Sequence, residues 1–242
     1  MGAALGWGAL AASSLIIGAL LAFARHWPDK QVGYVLAFGA GALISAVSFE
    51  LVEEGVNVGG GDSTAIGLGL GAIVYFLADG ALARRHGGGR GMPGRKQSSG
   101  PGEALALGAF LDGIPEQMVL GISVASAGGI SAALLVAVFV SNLPEAIGGA
   151  SDMHESGMDR QGILRIWAGV ATVCVLATLS GYGIADSASG DLLAIVNGFA
   201  AGALLVLLID SLIPEAREKT GTTAGLITVL GFAVAAGLSQ TG

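Results

Sequence analysis

Apolar residues fill this chain in long runs rather than in stripes. Eight runs lie at about 3–24, 33–54, 64–83, 104–126, 129–151, 163–185, 190–213 and 222–239. Each approaches the roughly 20 residues that a helix needs to cross a bilayer. They are rich in Ala, Leu and Gly and do not alternate apolar with polar positions, so they predict helices and not the strands of a membrane barrel. Residues 1–242 read as one membrane domain. The first run is too long for a signal peptide, lacks a basic start and carries its charge afterwards, at Arg25 and Lys30.

Composition narrows the class further. Hydrophobic residues make up 53% of the chain, charged residues only 12%, and mean hydropathy is +0.75. So little polar surface cannot coat a water-soluble globule, which excludes a soluble enzyme and a disordered chain. A net charge of −7 opposes a phosphate-binding surface, so nucleic acid is not an expected partner. The 42 glycines sit within the apolar runs, where small residues let membrane helices approach closely. The single cysteine, Cys174, excludes a disulfide framework and reads as a small core- or lipid-facing residue.

The eleven basic residues set the orientation. Arg25 and Lys30 follow the first run. Arg84, Arg85, Arg90, Arg95 and Lys96 follow the third, Arg160 and Arg165 the fifth, and Arg217 and Lys219 the seventh. None lies in an even-numbered loop, so the odd loops are expected in the cytoplasm and both termini outside. A missed or additional run would break this alternation. Trp7, Trp27 and Trp167 fall near run ends, as interfacial anchors do. Glu50, Glu53, Glu54, Asp62, Asp186 and Asp191 make the expected outer mouth acidic, which gathers cations. The loop at about 84–102 has the Gly/Ser-rich composition of a flexible linker.

An internal similarity links the second and seventh runs. Phe38-Gly39-Ala40-Gly41-Ala42-Leu43 resembles Phe199-Ala200-Ala201-Gly202-Ala203-Leu204, and the same register sets Glu54 opposite Glu215. The two runs point in opposite directions. An inverted 3+2+3 repeat, with runs 1–3 related to 6–8 and runs 4 and 5 on the axis, produces that relation. Membrane proteins built this way hold their site at the axis, near the bilayer midplane.

The fourth and fifth runs carry the chemistry. The fourth contains Leu111-Asp112-Gly113-Ile114-Pro115-Glu116-Gln117, the fifth Ser141-Asn142-Leu143-Pro144-Glu145-Ala146. A charge at the centre of a membrane helix costs roughly 2.5–3.5 kcal/mol on the mildest scale. No Lys or Arg lies in the membrane to pair with these acids, so they must be protonated, face water or hold a cation. Helical spacing puts Asp112 and Glu116 on one face, and Ser141, Asn142 and Glu145 on another. Pro115 and Pro144 withdraw the hydrogen bonds owed to the carbonyls of Leu111 and Val140, kinking each helix and freeing an oxygen for a cation. Two crossing, kinked helices can thus present carboxylates, an amide, a hydroxyl and carbonyls to one point. Glu50 and Glu54 on the outer side, and Asp79 and Asp210 toward the cytoplasm, mark a possible pathway. Glu53, Glu54, His154 and Glu155 read first as solvated run ends, and Asp152 lies toward the cytoplasmic end.

Ile114-Pro115-Glu116-Gln117 and Asn142-Leu143-Pro144-Glu145-Ala146 resemble the Pro-Glu motifs of the ZIP (Zrt/Irt-like) metal-ion transporters. Asp210-Ser211-Leu212-Ile213-Pro214-Glu215 resembles the end of that family's seventh helix. Eight spans, external termini, a variable loop after the third and an inverted repeat agree with the family over the whole chain. The resemblance implies uptake of a divalent metal (zinc, iron or manganese) toward the cytosol at the plasma membrane, with no cofactor. Asp112 and Gly113 stand where the family has His and Asn, Gln117 where it has Gly, and Ser141 where many members have His or Gln. Asn142 stands where some carry Asp, and the sixth run has no acid at its middle. With these departures the resemblance implies one metal site, formed by Asp112, Glu116, Asn142 and Glu145 with Ser141 as a weaker member; its ligands are all oxygen, hard enough for Mn²⁺, Mg²⁺ or Fe²⁺ and still able to accept Zn²⁺. The expected partners are divalent metal ions, the lipid bilayer and a second copy in a homodimer. No HExxH or GxSxG motif supports an enzyme. A proton-coupled carrier of an organic solute and a non-transporting metal sensor stay open as alternatives.

Overall fold

The computed structural model describes residues 1–85, 101–125 and 131–240, with side chains described except at 82–85, 101–105, 107–109, 111–112 and 186–187. These residues form eight helical segments and, among those described, no strand. They are α1 (Gly2–Ala24), α2 (Asp29–Gly59), α3 (Gly61–Arg85), α4 (Pro101–Ala125), α5 (Ala132–Glu155), α6 (Arg160–Ser187), α7 (Gly190–Thr220) and α8 (Thr223–Ser239). Six are long and apolar enough to cross a membrane: α1, α2, α3, α5, α6 and α7; α8 is a shorter apolar helix. The chain is thus a multi-pass helical membrane protein. Residues 86–100 of the expected loop lie outside the described residues.

Helix starts follow local chemistry. Ser131 accepts from the Leu134 amide, Asp159 from the Gly162 amide and Ser189 from the Leu192 amide, each meeting one orphan donor of a first turn. Gly60 joins α2 to α3 at φ +87°, a conformation that suits glycine.

Helices α2 and α7 run further than expected, to Gly59 and Thr220, and both widen into a π-helical turn, at Val47–Val52 and Leu208–Leu212. Each turn closes with an i→i−5 bond, from Glu53 N–H to Ser48 and from Ile213 N–H to Leu208. In the register that aligns Phe38 with Phe199, the two turns begin at the same position. By contrast, Pro115 and Pro144 lie inside α4 and α5 without ending them.

Two groups of helices pack mainly among themselves: α1, α4, α5 and α6 form one, α2, α3, α7 and α8 the other. They meet chiefly where α2 crosses α5, and Gly39 lies there against the backbone of Ser141. Leu43, Leu51, Leu120, Leu134, Leu204 and Leu207 are fully buried in the largest apolar cluster, between the groups. On the outside, α3 exposes Ile66, Leu70, Ile73 and Phe76, and α8 exposes Leu226, Val229 and Leu230. Two such apolar faces suit lipid and not water. Trp167 corrects its expected role as an interfacial anchor: it is fully buried among α1, α5 and α6 side chains, because the packing of α6 turns it inward. Of the two positions left open for Cys174, facing lipid or facing the core, it takes the core.

Candidate metal centre

The crossing of α4 and α5 buries a polar cluster inside an apolar bundle. Glu116, Ser141 and Asn142 are each 2% exposed. Asn142 Nδ2 donates to Glu116 Oε2 at 3.1 Å and to the Val138 carbonyl at 2.8 Å. Ser141 Oγ lies 3.4 Å from Glu116 Oε1 and 3.1 Å from the Val138 carbonyl. A hydroxyl has one proton, so the shorter contact to Val138 dominates. A hydrogen bond to a charged group contributes about 1.5–3 kcal/mol. The Asn142 bond therefore offsets much of the cost of an ionised Glu116 at this depth, and Ser141 adds little.

Glu145, one helical turn after Ser141, is half-buried, with its Oε2 atom shielded from solvent. A Cβ at Gly113 would lie 2.7 Å from Cys174 Sγ, so a side chain there would require the thiol to turn away. Asp112 is on α4, but its side chain is outside the described residues. Among the described residues no three His, Cys, Asp or Glu side chains converge tightly enough to close on a metal. The arrangement can supply one or two carboxylates, an amide oxygen after rotation of Asn142, and a hydroxyl. All are oxygen donors.

The pathway candidates divide by location. Glu50 is half-buried in the π turn of α2 and accepts a hydrogen bond from Ser239 Oγ of α8. With Glu53, Phe49, Ala236, Ser239 and Gln240 it lines a cavity of about 400 Å³. Glu54 and Asp79 are half-buried, and Asp210 is exposed in the π turn of α7.

A second buried pair escaped the sequence reading. Gln117 is fully buried, and its Oε1 accepts from Thr178 Oγ1 of α6 at 2.6 Å. The adjacent residue Glu116 faces α5, so α4 presents a polar group to each neighbour in turn. An amide and a threonine in apolar runs were the available signals; neither is charged, Thr178 lies outside the Pro-Glu motifs, and Gln117 stood in one only as a departure from the family glycine.

No family model matches the chain. It is 27% identical over 207 residues to an Arabidopsis thaliana protein named "Putative zinc transporter". The match covers 84% of this chain and 33% of that protein, so the chain spans about a third of its relative's length.

Proposed function

We propose that this chain is a ZIP-like transporter that carries a divalent metal of the zinc, iron or manganese class across the plasma membrane toward the cytosol. The observation that carries the reading is the carboxylate of Glu116, buried between two helices and served by Asn142 and Ser141. A buried acid in a membrane bundle is a functional group by default. A cation at this position takes Glu116 and Glu145, displaces the Asn142 amide hydrogens, and draws Asn142 Oδ1 and Asp112 toward itself. The name of the plant relative supports metal as the cargo.

Eight crossings related by an inverted repeat fit the packing. A Cβ at Gly41 of α2 would strike the Thr228 carbonyl of α8, and one at Gly202 of α7 would strike the Leu68 carbonyl of α3. A Cβ at Gly231 would strike the Phe38 carbonyl, and one at Gly71 the Phe199 carbonyl. The α2 and α7 members of these contacts correspond in the register that aligns Phe38 with Phe199, and the α3 and α8 members correspond one residue out of it, with Gly71 against Gly231. The pairing of the helices into two groups supports alternating access, in which α1, α4, α5 and α6 move as a body against the others.

Uptake of radiolabelled Zn²⁺, Fe²⁺ and Mn²⁺ into proteoliposomes tests the reading, with solute-dependent proton flux as the competing result. Asp112→His is expected to shift preference from Mn²⁺ toward Zn²⁺, because imidazole favours the borderline-soft ion. An unchanged ratio in paired uptake would remove Asp112 from the ligand set. For orientation, Asn57→Cys is expected to react with an impermeant thiol reagent from outside intact cells, and Ser98→Cys is not. The native Cys174 is buried and adds little background. Labelling of Ser98→Cys from outside would reverse the topology.

A further inference from the structure

Gln117 of α4 and Thr178 of α6 are both fully buried and meet at 2.6 Å. The Thr178 hydroxyl has a second acceptor in reach, the Cys174 carbonyl at 3.2 Å, but a single proton, so the shorter contact to Gln117 Oε1 dominates. Gln117 Nε2 is buried with no hydrogen-bond partner among the described residues. An amide that leaves a buried donor idle adds little to the stability of a helix contact. We propose that Gln117 is a positioning residue for Glu116: its bond to Thr178 fixes the rotation of α4, so that the Glu116 carboxylate is presented to Asn142 and to a bound metal. The proposal rests on the transport reading for the metal, and on the α4–α6 contact for the positioning.

Helix α4 has one restraint fewer at this turn. Pro115 has no N–H to give to the Leu111 carbonyl, yet α4 continues through it, so a backbone bond is missing directly before Glu116. Glu116 and Gln117 stand about 100° apart around the helix axis. Holding one therefore sets the direction of the other. Here they point to different helices, Glu116 to Asn142 of α5 and Gln117 to Thr178 of α6. The α6 partner is itself held. A Cβ at Gly121 would strike the Thr178 carbonyl, and one at Gly181 the Met118 carbonyl, so the two backbones touch one turn beyond the pair. On the α1 side, a Cβ at Gly8 would lie 2.8 Å from Thr178 Oγ1, so α1 closes over the hydroxyl. Glycine contacts set how near the helices lie. A hydrogen bond between side chains is directional, and so also sets how α4 is turned.

Gln117→Met keeps the length and flexibility of the side chain and removes the bond. Thr178 can then donate to the Cys174 carbonyl, and the idle Nε2 is gone, so the variant should melt near the parent temperature. Two measurements on the whole chain test the proposal. The first needs no transport: the reaction of Glu116 with a hydrophobic carbodiimide, read by mass spectrometry relative to Glu145. Glu116 is 2% exposed, so it should react slowly in the parent and faster in Gln117→Met. Thr178→Ser, which keeps the hydroxyl, should match the parent. The second is uptake of Zn²⁺ and Mn²⁺ into proteoliposomes, where KM should rise about tenfold with the maximal rate near the parent's, the mark of weakened binding. If Gln117→Met does not accumulate, Thr178→Val removes the same bond from the α6 side and gives the same two measurements. Parent-like labelling of Glu116 would overturn the proposal whatever the melting temperature or uptake, and would assign the pair to helix packing alone. Faster labelling with a parent-like KM would overturn it too. Faster labelling in the variant, with no metal uptake by the parent, keeps the control of α4 rotation and removes the transport reading; metal uptake by the parent with unchanged labelling does the reverse.

Discussion

Glu116→Gln and Glu145→Gln each reduce divalent-metal uptake into proteoliposomes at least about tenfold, a loss of about 1.4 kcal/mol in binding or transition-state stabilisation. Each change keeps the side-chain shape and removes one negative charge. At position 116 the amide oxygen still accepts from Asn142 Nδ2, and the new amide hydrogens can reach Ser141 Oγ, now as an acceptor. Burying a neutral amide costs less than burying a carboxylate, so the protein is expected to reach the membrane and keep its thermal stability. Glu53→Gln, in the exposed cavity between α2 and α8, should change uptake only modestly and mainly at low ionic strength, where surface charge is least screened. Parent-like uptake by the Glu116 and Glu145 variants, at equal membrane content, would remove the metal-site reading and favour the proton-carrier or sensor alternatives.

Gly202→Leu lowers the melting temperature of the purified protein sharply or prevents its accumulation. The added Cβ would overlap the Leu68 carbonyl and press on the Ala72 amide of α3. Both are backbone atoms, so no rotamer change relieves the contact and the helices must separate. Overpacking a tight interface costs typically about 1–3 kcal/mol, and occasionally more. Gly41→Leu, which meets the Thr228 carbonyl of α8 in the same way, should show a loss of similar size. Gly69→Leu is the control: nothing lies within 4 Å of its added Cβ, so its stability should stay near that of the parent. Equal melting temperatures for Gly69→Leu and Gly202→Leu would refute close glycine-backbone contact as the basis of the α3–α7 interface.

The legible parts of the candidate site are those whose chemistry conflicts with their surroundings. Glu116 and Glu145 stand out because an acid in an apolar run is costly, and Asn142 because it lies on the face that carries Glu145. Their neighbours were harder to assign. Gln117 and Thr178 pair across 61 positions, and neither residue is unusual enough alone to mark a site.

By itself the sequence determined that this is a helical, membrane-embedded chain, which segments are apolar, and where its buried acids stand along them. These properties are local: the run length, the charge and the helical spacing are complete within some twenty residues and do not depend on neighbours. Only the tertiary structure decided that α1, α4, α5 and α6 associate apart from α2, α3, α7 and α8. It alone turned Trp167 into the core, opened matching π turns in α2 and α7, and set Asn142 against Glu116 while directing Gln117 to Thr178. The physical reason is that lipid is as apolar as the side chains. Hydrophobicity places a helix in the membrane but does not choose its partner. That choice falls to close backbone approach at glycines and to the few polar groups that must find one another inside the bundle.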